Sequence, residues 1–364
     1  MEKSKVYFSD LYATSKNNNM AASLRKLFDK AGFGEIISEN DQVAVKLHFG
    51  EKGNVTFLNP VNVRQIVDKI KEAGGKPFLT DTNTLYSGSR TNCVDHIQTA
   101  IENGFAYSVV GAPIIIADGM YSRNSETVEI NKKHFKEVKI GGEIYNSDSM
   151  IVISHFKGHE MAGFGGVMKN LAMGCATAPG KQMQHSDIKP QVDPQTCIGC
   201  RRCVSICQTK AISMVEKKAV IDSEVCYGCG ECIVVCPVRA ISDQWATDSN
   251  VFLEKMAEFA YGAVSNKKGK TGYITFVMNI TPLCDCAGWS GRPLANDIGV
   301  LASTDPVALE RACLDLIIKS AGKDVFKEAH TGVDGSLIID YAEEIGMGIQ
   351  EYELINVHTG RNIF

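Results

Sequence analysis

The chain has 364 residues, 44% of them hydrophobic, and a formal net charge of −4. That length suits about two domains with a sizeable core, and the mild charge without dense basic runs argues against nucleic acid or an anionic membrane as partner. The N-terminus lacks a continuous apolar segment and no run of about 18 apolar residues occurs, so neither a secretory signal nor a membrane span is expected. The expected compartment is the cytoplasm, where clustered cysteines bind metal more often than they pair.

In chain order, "KVYFSD" and "QVAVKLHF" read as short buried strands, with the helical "MAASLRKLFDKAGF" between them. "PVNVRQIVDKIKEAGG" has proline near its start and glycine at its end, the signature of a helix. It leads into the strand "KPFLTDTNTLY", whose end carries Asp81, Thr82 and Asn83. "CVDHIQTAIENGF" is a further helix, and "PIIIADG" and "SMIVISHF" are further strands. Strands interleaved with helices predict an α/β fold with a mainly parallel, helix-covered sheet, in which ligands gather at the C-terminal strand ends. "KLHFGEKGN", "DTNTLY" and "SHFKGH" fall at such ends.

The pattern breaks between about Pro190 and Asp243, then resumes with the helix "FLEKMAEFAYGAVSN", the strand "GYITFVMNI" and the helix "DPVALERACLDLIIKSAG". The expected organisation is a discontinuous host domain, residues 1–188 and 244–364, with an α+β module inserted at 189–243. Within the insert, "DPQTCIGCRRCVSICQTKAIS" repeats as "DSEVCYGCGECIVVCPVRAIS".

Each repeat carries C-x-x-C-x-x-C-x-x-x-C: Cys197, Cys200, Cys203 and Cys207, then Cys226, Cys229, Cys232 and Cys236. A 4Fe–4S cubane takes three thiolates from one tight loop and the fourth from the other half. The expected sets are Cys197, Cys200, Cys203 with Cys236, and Cys226, Cys229, Cys232 with Cys207. Two structural zinc sites are the competing reading, and the doubled spacing argues against them. The segment resembles the bacterial two-cluster ferredoxin module, including Pro237 after the last cysteine; Gln208 replaces the proline of the first half and removes no ligand.

Outside the insert, "SHFKGHEMAGFGGVMKNLAMGC" groups His155, Lys157, His159, Lys169 and Asn170 among glycines that allow close backbone approach. Its "GGVMKNLAMG" can open a helix whose N-terminus would favour an anion. Together with "VAVKLHFGEKGN", "PFLTDTNTLYSGSR" and "DIGVLASTDPVALERA", this stretch resembles the domain of unknown function 362 family, many members of which carry a ferredoxin module. The resemblance covers nearly the whole chain and implies an α/β iron–sulfur protein without an assigned reaction.

Lys46 and His48 share a strand face and line either a pocket or solvent. His155 and His159 bind metal, contact an anion or serve structure; Gly158 between them makes an i, i+4 pair on one helix doubtful. Lys157 and Lys169 are point charges for a carboxylate or phosphate, or solvated lysines. Asp81 and Asn83 are pocket groups or turn caps, and Asp305 reads as the cap of the helix that follows it.

Cys93 and Cys313 read as small core residues, and Cys175 ends the glycine-rich stretch. Cys284 and Cys286, in "NITPLCDCAGWSG", follow a strand closed by Thr281-Pro282. They read as a metal site, a redox dithiol, or a nucleophile with a helper, with a C-x-C disulfide as the disfavoured variant. The expectation is an iron–sulfur redox protein with two 4Fe–4S clusters and a redox partner protein. Electrons would reach a host pocket in which Cys284, Cys286, His48 and Lys157 act on a small anionic ligand or metal held by His155, His159, Lys46, Asp81, Lys169 and Asn170. The alternative is a non-enzymatic electron carrier or binding protein. No G-x-G-x-x-G fingerprint marks a dinucleotide site.

Overall fold

The computed structural model describes residues 3–85, 88–185, 190–207, 209–226, 232, 235–242 and 249–361. Eight strands form one sheet: β1 (Ser4–Asp10), β2 (Gln42–Lys46), β3 (Lys76–Asp81), β4 (Ile114–Ile116), β5 (Ser149–His155), β6 (Thr271–Val277), β7 (Gly299–Ser303) and β8 (Tyr352–Asn356). Their order is β8-β1-β7-β6-β5-β2-β3-β4. All neighbours run parallel except β7, which is antiparallel to both β1 and β6.

Alternation along each strand divides the apolar residues between two layers. Val43, Val45, Ile151 and Ile153 join one core with the helices Met20–Lys30, Pro60–Glu72 and Cys93–Glu102. Ala44, Met150 and Val152 face the other, under the helices Val167–Cys175, Ser249–Val264, Pro306–Ala321 and Leu337–Glu344. Asn19, Asn59, Asn92 and Asp305 each cap a helix start by accepting from its first backbone N–H groups. Asp305 is therefore a cap, as its place before Pro306 suggests.

Strands β7 and β8, from "GVLAS" and "YELIN", are additions to the strands expected from sequence. "QVAVKLHF" stops being a strand at Lys46, so His48 lies beyond the ladder. The strongest non-local feature is the pairing of β5 with β6, in register from Met150–Thr271 to His155–Phe276. It brings the chain on either side of the cysteine-rich segment into one sheet.

That segment has an apolar cluster of its own, formed by Cys197, Cys203, Ile212, Ala219, Cys232, Ala240 and Ile241. Ile212–Val215 pairs with Lys218–Ile221 as a hairpin. Gln191–Val192 pairs with Ile241–Ser242, so the two ends of the segment meet. Among the described residues, no helix is long and apolar enough to cross a membrane.

Candidate functional site at the C-terminal edge of the sheet

Strands β6, β5, β2 and β3 are adjacent and parallel, so their C-terminal ends lie side by side. Lys46, Asp81 and His155 are the last residues of β2, β3 and β5, and the loop after β6 carries Cys284 and Cys286. The loops interlock through hydrogen bonds to backbone carbonyls. Glu51 N–H donates to Asp285 O (2.9 Å), Gly158 N–H donates to Thr281 O (2.9 Å), and the Asn54 amide donates to Ala287 O (3.0 Å). A Cβ at Gly158 would overlap the Pro282 carbonyl, so only glycine permits this approach.

Most charges here are neutralised internally. Lys46 Nζ lies 3.0 Å from Asp81 and donates to Asn170 Oδ1 at 2.6 Å. Asp81 also faces Arg90 (3.6 Å), which pairs with Glu51 (3.1 Å). Asp285, between the two cysteines, is buried and accepts from Lys157 Nζ (2.7 Å) while its other oxygen meets His155 Nδ1 (2.9 Å). Burial pushes the Asp285 carboxyl up, but His155 and Lys157 outweigh it and hold it below the ordinary range. Lys157 also donates to Thr56 O and Oγ1.

Lys46 and Lys157 are therefore not solvated lysines, and neither offers a free charge to an anion. His155 has its second nitrogen, Nε2, against Met278 O at 2.6 Å, so both ring nitrogens are engaged by oxygen. A joint His155–His159 metal pair does not form. His48 is half-buried and its Nδ1 accepts from Gly50 N–H; burial, then Arg90, Lys46 and Lys169, keep it neutral.

Cys284 and Cys286 are joined as a disulfide, the variant that spacing alone disfavoured. Both are half-buried. The backbone bends so that both sulfurs turn to Lys169, whose Nζ lies 3.0 Å from Cys284 Sγ and 3.8 Å from Cys286 Sγ. Burial draws the Lys169 ammonium down to about 7, only partly opposed by Asp285. Donor atoms of His159, Cys284 and Cys286 lie within 4.8 Å of one another, a geometry in which a metal ion has three ligands. However, His159 Nδ1 accepts from Ala162 N–H (3.1 Å) and Met161 N–H (3.3 Å), and burial depresses its protonation. The ring lone pair is thus already used, leaving an N–H donor.

The N-terminus of the helix Val167–Cys175 is not open to a ligand. Glu310, from the helix Pro306–Ala321, accepts from Val167 N–H at 2.7 Å, with Met168 and Gly166 also donating to it. The acceptor at that helix end is a carboxyl group of the chain itself. Cys175 and Cys313 are buried thiols pushed up by burial, Cys175 to about 11, and both are structural; Cys93 is half-buried.

Neighbouring buried groups missed from sequence are Arg90, Asp118, Lys181 and Glu310. Lys181 donates to Thr82 Oγ1, Asn83 O and Ala176 O, and Asn83 donates to Asp118. Glu310 had a legible signal, since it sits on the apolar stripe with Cys313, Leu314 and Ile317.

In the cysteine-rich segment, Cys197, Cys200, Cys203 and Cys236 line one cavity, walled also by Val192, Ala219, Val238, Ala240 and Ile241. Ala240 N–H donates to Cys236 Sγ at 3.2 Å. Backbone N–H groups of Ala219 and Gly199 hold the Cys197 thiol below the ordinary range. Cys207, Cys226 and Cys232 are described; Cys229 and Gln208 lie outside the described residues.

Fold and site together define an α/β protein with a disulfide- and lysine-bearing loop cluster at the carboxyl edge of a mainly parallel sheet. The chain belongs to the family described as domain of unknown function (DUF362), whose model matches residues 43–315. It is 26% identical over 170 residues to the thylakoid-associated protein sll1697 of Synechocystis, covering 45% of this chain and 47% of that protein. In structure it is similar to the lactate racemase apoprotein of Thermoanaerobacterium thermosaccharolyticum, with 11% identity and a TM-score of 0.45 over 86% of this chain and 57% of that one. The chain thus spans about half the length of the relatives it matches.

Proposed function

We propose that this chain is an iron–sulfur redox protein, with two 4Fe–4S clusters in the cysteine-rich segment and a redox pocket at the carboxyl edge of the host sheet. One observation carries the reading. Cys197, Cys200 and Cys203 from one loop share a cavity with Cys236 from the other half, the crossed set a cubane takes. Apolar walls and backbone N–H groups aimed at sulfur suit a thiolate-held cluster. Cys226, Cys229, Cys232 and Cys207 would hold the second. Bound cubanes supply single electrons, and a partner protein exchanges them. At the sheet edge the Cys284–Cys286 disulfide is a group able to accept two. The charge left at Lys169 favours an anion over a metal ion as the pocket's ligand.

Iron and sulfide analysis of anaerobically purified protein tests the reading. About eight irons per chain are expected, falling to about four in Cys236→Ser. Zinc in place of iron, or unchanged iron in Cys236→Ser, would overturn it.

A further inference from the structure

We propose that the Cys284–Cys286 pair is a dithiol–disulfide exchange centre in which Cys284 is the attacking thiolate, Cys286 the resolving thiol, and Lys169 the counter-ion that activates Cys284. The proposal deepens the reading of this pocket as redox-active. Its acceptor is the disulfide bond of a substrate, RS–SR.

The two sulfurs are not equivalent. Lys169 Nζ lies 3.0 Å from Cys284 Sγ and 3.8 Å from Cys286 Sγ, and the Cys286 backbone N–H also donates to Cys284 Sγ at 3.4 Å. A cation stabilises the anionic form of a sulfur more the closer it lies, so in the reduced pair the negative charge settles on Cys284.

The surrounding charges point the same way. Lys46, Lys157 and Arg90 each have a carboxylate partner, in Asp81, Asp285 and Glu51. Among the described residues, Lys169 forms no ion pair, and its hydrogen-bond partners are the two sulfurs. A largely desolvated ammonium without a counter-ion is costly, and a thiolate 3.0 Å away supplies one. Burial has already drawn Lys169 down to about 7; the thiolate would draw it back up, keeping the amine protonated while Cys284 is reduced.

The frame holding the pair does not depend on the sulfur–sulfur bond. Asp285 is tied to Lys157 and His155, the Pro282 carbonyl accepts from His330 Nε2 at 2.7 Å, and Thr281 Oγ1 donates to Leu283 O at 2.8 Å. Cys284 and Cys286 therefore stay together when reduced. Both are partly exposed, unlike the buried Cys175 and Cys313, so a substrate disulfide can reach them.

The exchange balances. Cys284 thiolate attacks one sulfur of RS–SR, forming a Cys284–S–S–R mixed disulfide and releasing RS⁻. Cys286, giving its proton to solvent, attacks Cys284 Sγ, re-forms the intramolecular disulfide and releases the second RS⁻. The pair is oxidised by two electrons and the substrate reduced by two; the two thiolates take protons from solvent. On the reading above, two electrons from the cluster segment and two protons restore the dithiol.

The test needs no electron delivery. The full chain is reduced with a phosphine, freed of reductant, and treated with limiting iodoacetamide from pH 5 to 9, with peptide mapping by mass spectrometry. Cys284 should be labelled first, with a midpoint below the ordinary thiol value of about 8.5. Lys169→Met should slow Cys284 labelling at pH 7 by roughly threefold for each unit its midpoint rises, since lost thiolate is partly offset by greater nucleophilicity; Lys169→Arg should restore most of the rate. The reduced protein should turn over 5,5′-dithiobis-(2-nitrobenzoate), a small disulfide, or the disulfides of insulin, and the faster arm identifies the substrate source. Cys286 labelled before Cys284 in the wild type would overturn the proposal, whether or not the Lys169 variants fold. So would reduced protein whose pair is shielded by bound zinc and freed only by a chelator. Iron content, measured on the same samples, fails or holds separately.

Discussion

Replacing Asp285 by Asn keeps the shape of the C-x-C motif and removes one charge from its middle. In the native loop that carboxylate lies 2.7 Å from Lys157 Nζ and 2.9 Å from His155 Nδ1, and Asp285 and Lys157 are both buried. Removing one partner of a buried pair costs about 3–5 kcal/mol, because the other charge is left uncompensated. Lys157 retains Thr56 O and Oγ1 as acceptors, and burial already depresses its protonation. The expected loss is therefore at the low end, about 3 kcal/mol, or roughly 150-fold in the folding constant.

The sign of the pH dependence follows from Lys157. Its folded-state affinity for protons is lowered by burial, and losing Asp285 lowers it further. Between that lowered value and the ordinary lysine value of about 10.4, the unfolded chain binds more protons, so this group's contribution to stability rises with pH. The deficit of Asp285→Asn should thus shrink between pH 7 and pH 9.5. Urea unfolding followed by far-ultraviolet circular dichroism at both pH values measures it. A loss below about 1 kcal/mol at pH 7, or one unchanged by pH, would refute the claim that Asp285 neutralises a buried cation.

Variants at two further positions test the frame around the site. Glu310→Ala leaves the N–H groups of Gly166, Val167 and Met168 without their acceptor and should cost at least about 3 kcal/mol in urea unfolding. Burial pushes the Glu310 carboxyl up to about 8. Its folded form therefore binds more protons than the unfolded one between about pH 4.3 and 8, and wild-type stability should fall with pH across that window relative to Glu310→Gln. Gly158→Ala drives a methyl into the Pro282 carbonyl and should destabilise by about 1–3 kcal/mol while changing the rate at which Cys284 is alkylated. An unchanged rate would mean that this contact does not position the cysteine loop.

Local pattern carried the host elements well. Helices such as Pro60–Glu72 and Pro306–Ala321 have their apolar stripe, cap and proline within one short window, and buried strands such as β5 are continuous apolar runs. The edge strand β8 escaped because Tyr352–Asn356 is only partly buried and lacks a continuous apolar run, and β7 because its five residues begin with glycine and run almost directly into the capped helix at Pro306. Among site residues, Lys46, Asp81, His155, Lys157, Lys169, Asn170, Cys284 and Cys286 were singled out as strand-end or loop groups, and the structure brings them to one edge. Their roles were not legible. Lys46 and Lys157 serve carboxylates of the chain, His155 braces Asp285, and the helix N-terminus expected to take a ligand anion holds Glu310.

By itself, the sequence determined the period of each element, the doubled cysteine spacing, and the stock of lysines, histidines and thiols set at strand ends. These are short-range properties, legible because backbone geometry repeats every two or 3.6 residues. Only the tertiary structure decided which charges neutralise one another. The parallel pairing of β5 with β6 joins segments more than 100 residues apart, and the close approach at Gly158 lays one loop on the other. Coulomb energy depends on distance and burial, not on sequence separation. That is why Lys169 remains beside Cys284 and Cys286 with no carboxylate in ion-pair contact among the described residues.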